Sequence, residues 1–318
     1  MEAASWRRFV SAGAEVALKV NLGWDVFLPG AVSAPWVVEG VIRAIRDYVS
    51  RIFVVESDQV VADADRALHQ TGIDEVCRKY GVTWVNMSRG SFVRIEDPSR
   101  LVLRSVDLPE ILTRTELITL PVMKTHNKTV ITGAIKNQWG CLRTLRHNFH
   151  PVLAQALVDV NTLVRPRFAV MDGTIGLEGD GPKSGTPKEM GLVLASADPV
   201  ALDAVAARVM GFDPDLIDHL QMAAAHGLGV ADAAGIDVVG ESLAATTRPF
   251  RPAHHNAVSW FEMVLRRSLF QRLVFQTPAF QLFCWGARRY YDMWELAIGR
   301  RLRAAVLRDS PYGAQWRV

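Results

Sequence analysis

The sequence predicts an α/β fold, a mostly parallel sheet with flanking helices, followed by a helical C-terminal extension. Three observations carry this. Strand-like apolar runs alternate with helical periodicities over residues 15–87. The runs are continuous rather than alternating, as in strands buried on both faces. Several end in polar residues, Lys19 and Asn21 in one, Glu56 and Asp58 in another, where parallel sheets bind ligands.

Taken in order, Glu15–Leu22 is the first strand. Ser33 as N-cap and Pro35 in the first turn open a helix reaching Ile45. Arg51–Asp58 is the second strand, Ala62–Tyr80 a helix closed by Gly81, and Val82–Met87 the third strand. Residues 88–107 alternate on either side of Asp97-Pro98-Ser99 and predict a hairpin. Leu108–Thr113 is a short helix, and Leu117–Val122 a strand. Thr129–Gly140 is ambiguous, because Gly133 and β-branched Val130 and Ile131 weaken a helix. Pro151 opens the helix Val152–Val164, and Arg167–Asp172 is the next strand.

Residues 173–185 hold five glycines and predict a loop that approaches a ligand or turns tightly. The run matches neither the P-loop nor the dinucleotide fingerprint, so no nucleotide is inferred. Gly191–Ser196 is a strand, Asp198–Gly211 a capped helix, Asp215–His226 another helix, and Gly235–Gly240 the last strand.

The densest chemistry lies in Met123–Pro151, which holds Lys124, Lys128, Lys136, Arg143 and Arg146, with His126, His147 and His150, and no Asp or Glu. Cations and imidazoles at the end of a strand point to a small anionic molecule, a carboxylate or a phosphate. The competing reading is a solvated basic loop, which ordinarily mixes both signs of charge. For an anion site, the candidate catalytic residues are His126, His147 and Lys136. The candidate binding residues are Asn21, Lys19, Lys124, Asn137 and Arg143, with Gly179 and Gly181 of the glycine-rich run. An imidazole suits proton transfer near neutral pH. A second reading makes His126, His147, His150 and Asp172 ligands of a divalent metal ion, against the repulsion of the nearby cations.

Composition narrows the rest. The cysteines, Cys77, Cys141 and Cys284, form no C-x-x-C, so the chain builds no iron–sulfur cluster of its own, and their sparseness suits a reducing cytoplasm. No signal peptide or membrane-spanning run is legible. The net charge of +3 is unevenly spread, +8 from Arg248 onward and −5 before it. This divides a 1–247 ligand-binding or catalytic domain from a 248–318 basic, aromatic-rich extension. Ser259–Phe275, Pro278–Tyr291 and Trp294–Leu307 are amphipathic helical segments with paired arginines. They suit packing on the body or on a second copy in a homo-oligomer, or lying on an anionic membrane surface. No nucleic acid is expected, since no known binding motif is present.

One ordered set of motifs is specific. It comprises Lys19-Val20-Asn21, Glu56, the Gly72-Ile73-Asp74-Glu75-Val76 segment, and Leu120-Pro-Val-Met-Lys124-Thr-His126. It continues with Gly133-Ala-Ile-Lys136-Asn137-Gln-Trp-Gly140, His147, Asp172-Gly173, Glu178-Gly-Asp-Gly181-Pro182, Gly185 and Ala195-Ser-Ala-Asp198-Pro-Val-Ala-Leu-Asp203. In these the chain resembles the uncharacterised domain family numbered 362, over most of residues 15–242. The resemblance implies an α/β fold and an enzyme, without a defined reaction. The iron–sulfur association of that family rests on appended cysteine motifs, which this sequence lacks. The expectation is an enzyme that binds a small anionic metabolite through lysines and moves protons through histidines. The alternatives are a metal-dependent enzyme and a non-enzymatic ligand-binding or membrane-associated protein, in the cytoplasm or peripheral to a membrane.

Overall fold

A computed structural model describes residues 1–143, 146–254, 256–269, 271–275 and 277–316. The predicted helix Ser259–Phe275 and the count of basic residues in the extension both include positions outside these, residue 270 and Arg317 among them.

The central sheet contains β1 (Glu15–Lys19), β2 (Arg51–Glu56), β3 (Thr83–Asn86), β6 (Glu116–Thr119), β7 (Val122–His126), β8 (Val130–Ile131), β9 (Phe168–Glu178) and β10 (Thr186–Ser196). A separate antiparallel hairpin, β4 (Phe92–Glu96) and β5 (Ser105–Pro109), fulfils the expectation for residues 88–107. The sheet order is β3-β2-β1-β6-β9-β7-β8, with β10 also on β9. The β1–β2, β1–β6, β2–β3, β6–β9 and β7–β9 pairs are parallel, while β9–β10 and β7–β8 are antiparallel.

Side chains of each buried strand alternate between two cores, and this makes three layers. Val16 and Leu18 of β1 face a cluster with Val38, Ile42, Leu68 and Ile73, from α1 (Pro35–Ile45), α2 (Ala64–Thr71) and α3 (Ile73–Tyr80). Ala17 faces the other way, toward Leu157, Val160, Ala204 and Leu220. Those come from α6 (Leu153–Val164), α7 (Pro199–Val209) and α8 (Asp218–Ala225), which follow α4 (Ile111–Arg114) and α5 (Gly133–Asn137).

Three local expectations are corrected. The helix expected over Ala62–Tyr80 is two helices, because Gly72 takes a left-handed φ of 74° between them. The glycine-rich run is not all loop: β9 continues to Glu178, pairing with β10. Residues 235–240 form no strand; Ala233–Gly235 is a 3-10 turn whose following residues are largely exposed and pair with no neighbour strand.

After α9 (Leu243–Thr246) the extension forms α10 (Ala257–Arg267), α11 (Gln271–Phe275), α12 (Ala279–Trp294), a π-helical turn at 295–299 and α13 (Arg300–Asp309). It packs on the body. Arg288 pairs with Asp25, Trp24 meets Tyr291 edge-on at 5.1 Å, and Trp36 stacks on Tyr312 at 5.4 Å. Among the described residues, no helix is long and apolar enough to cross a membrane.

Candidate functional site

The carboxyl ends of β1 and β2 supply a buried ion pair. Lys19 Nζ lies 2.8 Å from Glu56 Oε2, with side chains 1% and 2% exposed. Lys19 also donates to the Val20 carbonyl, and Glu56 accepts from the Leu22 and Ser57 amides, so both charges are satisfied locally. Beside them, Lys124 of β7 donates to Asn21 Oδ1 at 2.8 Å and to the Ala31 carbonyl at 2.7 Å. Asn21 in turn donates to Asn137 Oδ1 at 3.0 Å, and Asn137 to Thr119 Oγ1 at 2.9 Å.

The ambiguous Thr129–Gly140 segment becomes β8, α5 and a 3-10 turn, and α7 is what holds α5. Asp203 accepts the Ala134 and Ile135 amides at 2.6 and 2.9 Å. Gly133 opens α5 at φ 61°, where a Cβ would stand 2.4 Å from the Asp203 carboxylate. Burial pushes the Asp203 carboxyl up to about 7. This cap fixes the direction in which α5 delivers Lys136 and Asn137.

These residues line a cavity of about 220 Å³, with Lys19, Asn21, Glu56, Lys124, His126, Lys136, Asn137, Trp139, Arg146, His147, His150 and Lys183 in its wall. The chain has only seven lysines, and four of them are here. The carboxylate in the wall, Glu56, is already paired with Lys19, so the remaining positive charge is uncompensated. Arg146 is held by the Leu142 and Asp58 carbonyls, each at 2.7 Å, rather than by an acid. Burial, reinforced by neighbouring cations, brings Lys124 and Lys136 down to about 7. Lys183 also falls to about 7, by burial, although Asp25 opposes the shift. Among the described residues Lys136 has no hydrogen-bond or ion-pair partner; its Nζ lies 5.5 Å from the Trp139 ring centroid.

The histidines differ in what their nitrogens do. His126 Nδ1 accepts the Lys128 amide at 3.0 Å, which leaves Nε2–H as a donor. Burial first, then the Lys136 charge, hold it neutral, well below the usual imidazole range. His150 has the opposite tautomer. Its Nδ1 lies 2.9 Å from Glu262 Oε1, and a carboxylate only accepts, so Nε2 keeps its lone pair. Glu262 comes from α10, also accepts from Lys128 and Arg266, each at 2.9 Å, and is held well below the usual carboxylate range. Its burial pushes the other way, and the His150 hydrogen bond and the Lys128 charge outweigh it. Burial lowers His150 to about 4 despite Glu262. His147 stacks on Phe280 at 4.0 Å with neither ring nitrogen hydrogen-bonded. Burial brings it to about 4.

Of the residues expected from sequence, Lys19, Asn21, Lys124, His126, Lys136, Asn137, His147 and His150 share this wall. Four do not line it. Arg143 is 56% exposed, donates to Asp107 at 3.2 Å and faces a neighbouring groove. Asp172 lies within β9 and accepts the Ala34 amide and the Thr174 amide and hydroxyl. Gly179 and Gly181 sit behind the wall, Gly181 so close to the Thr125 carbonyl that a Cβ would stand 2.1 Å from it. Their neighbours Pro182 and Lys183 reach the cavity instead.

With Asp172 spent on backbone groups, the expected metal donors are three imidazoles among lysines. Among the described residues no group of three or more His, Cys, Asp or Glu is arranged to hold a metal ion. Sequence reasoning did not single out Arg146, Lys183 or Glu262 for the site. The scarcity of lysine was the available signal for Lys183; nothing local marks Glu262, which is 112 residues from His150.

Two comparisons bear on this arrangement. The family described as a domain of unknown function, DUF362, matches residues 16–208, which contain the cavity residues named above and exclude Glu262. The chain is also similar to a thylakoid-associated protein of Synechocystis sp., 27% identical over 232 residues, which is 70% of each chain.

Proposed function

The chain belongs to the DUF362 family, and on that premise we propose that it is an enzyme acting on a small anionic metabolite, a carboxylate or a phosphate. The carrying observation is the excess of positive charge without an acid partner in one cavity, buried Lys124 and Arg146 with half-buried Lys136 and Lys183, around a volume of about 220 Å³. Buried cations without acids cost stability unless a ligand compensates them. In this reading they hold the anion. His126 Nε2–H donates to oxygen that gains charge during reaction, as a neutral imidazole does when its surroundings suppress protonation. His150 Nε2 accepts a proton, while Glu262 fixes its tautomer and stabilises the resulting imidazolium.

Thermal unfolding with inorganic phosphate and with oxalate tests the binding step. Either anion at 100 times its Kd adds about 2.7 kcal/mol of stability. The shift is expected in the wild-type protein and is lost in Lys124→Ala. A wild-type protein unmoved by millimolar amounts of both anions sinks the proposal.

We further propose peripheral attachment to an anionic membrane surface through α10–α12. Ten of the twenty exposed large hydrophobic side chains among the described residues fall between Trp260 and Ile298. Trp260, Phe261 and Val264 share one face of α10, and Leu282, Trp285 and Met293 one face of α12. The segment is rich in arginine, and the thylakoid association of the Synechocystis relative supports the same reading. Sedimentation with vesicles containing phosphatidylglycerol should fall in a Trp260→Ser, Leu282→Ser, Trp285→Ser triple variant. Equal sedimentation, or none by the wild-type protein, removes this attachment.

A further inference from the structure

Resting on the anion-binding reading, we propose that Lys136 is a nucleophile that condenses with the carbonyl group of a small oxo acid, forming an imine. The cavity lysines are not equivalent. Lys19 is tied to Glu56, and Lys124 to Asn21 and the Ala31 carbonyl. Lys183 lies over the Trp24 and Tyr291 rings at 4.7 and 5.5 Å. Among the described residues Lys136 and Lys183 both face the cavity without a hydrogen-bond or ion-pair partner, but Lys183 is held between two rings and near the Asp25 charge, whereas Lys136 has one ring beside it.

A lysine that serves only as a cation gains from a carbonyl or carboxylate that holds it. A nucleophilic lysine needs a free lone pair, which desolvation and adjacent cations favour. Both conditions hold here: burial, then the charges of Arg146, Lys128 and Lys19, bring Lys136 to about 7, so the neutral amine is well populated at neutral pH. The other cations then bind the acid group of the same substrate. His126 lines the same cavity, and its Nε2–H is available for the carbonyl oxygen.

The step balances without an oxidant or reductant. The Nζ lone pair attacks the carbonyl carbon, the C–N bond forms, and the π pair moves onto oxygen, which takes up one proton. The proton on oxygen is the one that His150 Nε2 takes from Nζ, giving a neutral carbinolamine; His150 then takes the second Nζ proton and passes it to the hydroxyl. The C–O bond breaks, and the two Nζ protons leave with that oxygen as water. The resulting C=N group withdraws electrons from the neighbouring carbon, so an oxo acid becomes open to loss of an adjacent proton.

The test uses the full chain, glyoxylate and sodium cyanoborohydride, which leave a carboxymethyl group on each lysine that forms an imine. Peptide mapping after reaction at pH 7 should find Lys136 labelled at least about tenfold over exposed Lys79, whose amine Glu39 holds protonated. Labelling of Lys136 should level off above about pH 8, while that of Lys79 keeps rising. Lys136→Arg should lose the label in its peptide. A phosphate shift with no preferred label at Lys136, or a label centred on Lys124 or Lys183, overturns the imine and leaves anion binding standing. Absence of both the shift and the label overturns both.

Discussion

Glu262 Oε1 accepts a hydrogen bond from His150 Nδ1 at 2.9 Å, joining the C-terminal extension to the wall of the cavity. The same carboxylate pairs with Lys128 and Arg266 at 2.9 Å each. One acid on α10 thereby orients an imidazole and neutralises the rim. The extension thereby holds a residue of the cavity wall, although it lies outside the matched 16–208.

Glu262→Gln places an amide NH2 where three donors converge. Breaking a buried charge network in this way costs about 3–5 kcal/mol; Glu262 is 13% exposed, so the lower end is expected. Urea unfolding measures it, and tryptic cleavage after Arg266 or Arg267 should accelerate as α10 loosens. Wild-type stability and cleavage together would show that the contact holds nothing in place.

Lys124→Ala and Lys136→Ala should part company in stability. Without Lys124, Asn21 Oδ1 and the Ala31 carbonyl lose a buried donor, a cost of about 1–3 kcal/mol. Lys136 leaves no orphaned partner, and its removal relieves uncompensated charge, so stability should hold or rise. Both variants should lose most of the phosphate-induced thermal shift. Equal destabilisation in urea would mean that Lys136 has a structural partner after all.

Stability without ligand should rise between about pH 7 and 8.5. Lys124, Lys136 and Lys183 titrate near 7 when folded, so over this window the folded chain has shed protons that the unfolded chain, near 10.4, retains. Stability climbs wherever the unfolded state binds more protons, here by about 1–3 kcal/mol per pH unit. Two effects oppose it. Asp203, raised to about 7, works against the rise at its lower end, and burial lifts the thiols of Cys77 and Cys141 to about 11 and about 12, opposing it at higher pH. Unfolding midpoints across this window read the sign directly. A midpoint that falls from pH 7 to 8 contradicts the assignment of neutral amines to the cavity.

Gly133→Ala should damage the site more than its size suggests. The φ of 61° disfavours any side chain, and the added Cβ would meet the Asp203 carboxylate at 2.4 Å. A loss of about 2 kcal/mol or more is expected, along with weaker phosphate binding, because the cap that aims α5 is displaced. Asp203→Asn should act in the same direction, since its amide cannot accept both backbone N–H groups. Binding unchanged in both variants would separate α5 from the site.

The sequence by itself determined the layers and where basic side chains concentrate. Continuous apolar runs, caps such as Asp198 and polar strand ends such as Lys19, Asn21 and Glu56 are local signals, and burial in the fold follows them. The dense basic stretch was equally legible, and ten of its residues meet in one wall. Tertiary structure alone decided which cations converge. Arg143 turns away to Asp107, Asp172 is consumed by backbone amides, and Lys183 and Glu262 arrive from β9–β10 and α10. The reason is geometric: spacing along a strand or helix sets a side chain's face, but meeting a residue 112 positions away depends on how separate elements pack, and no local period records that.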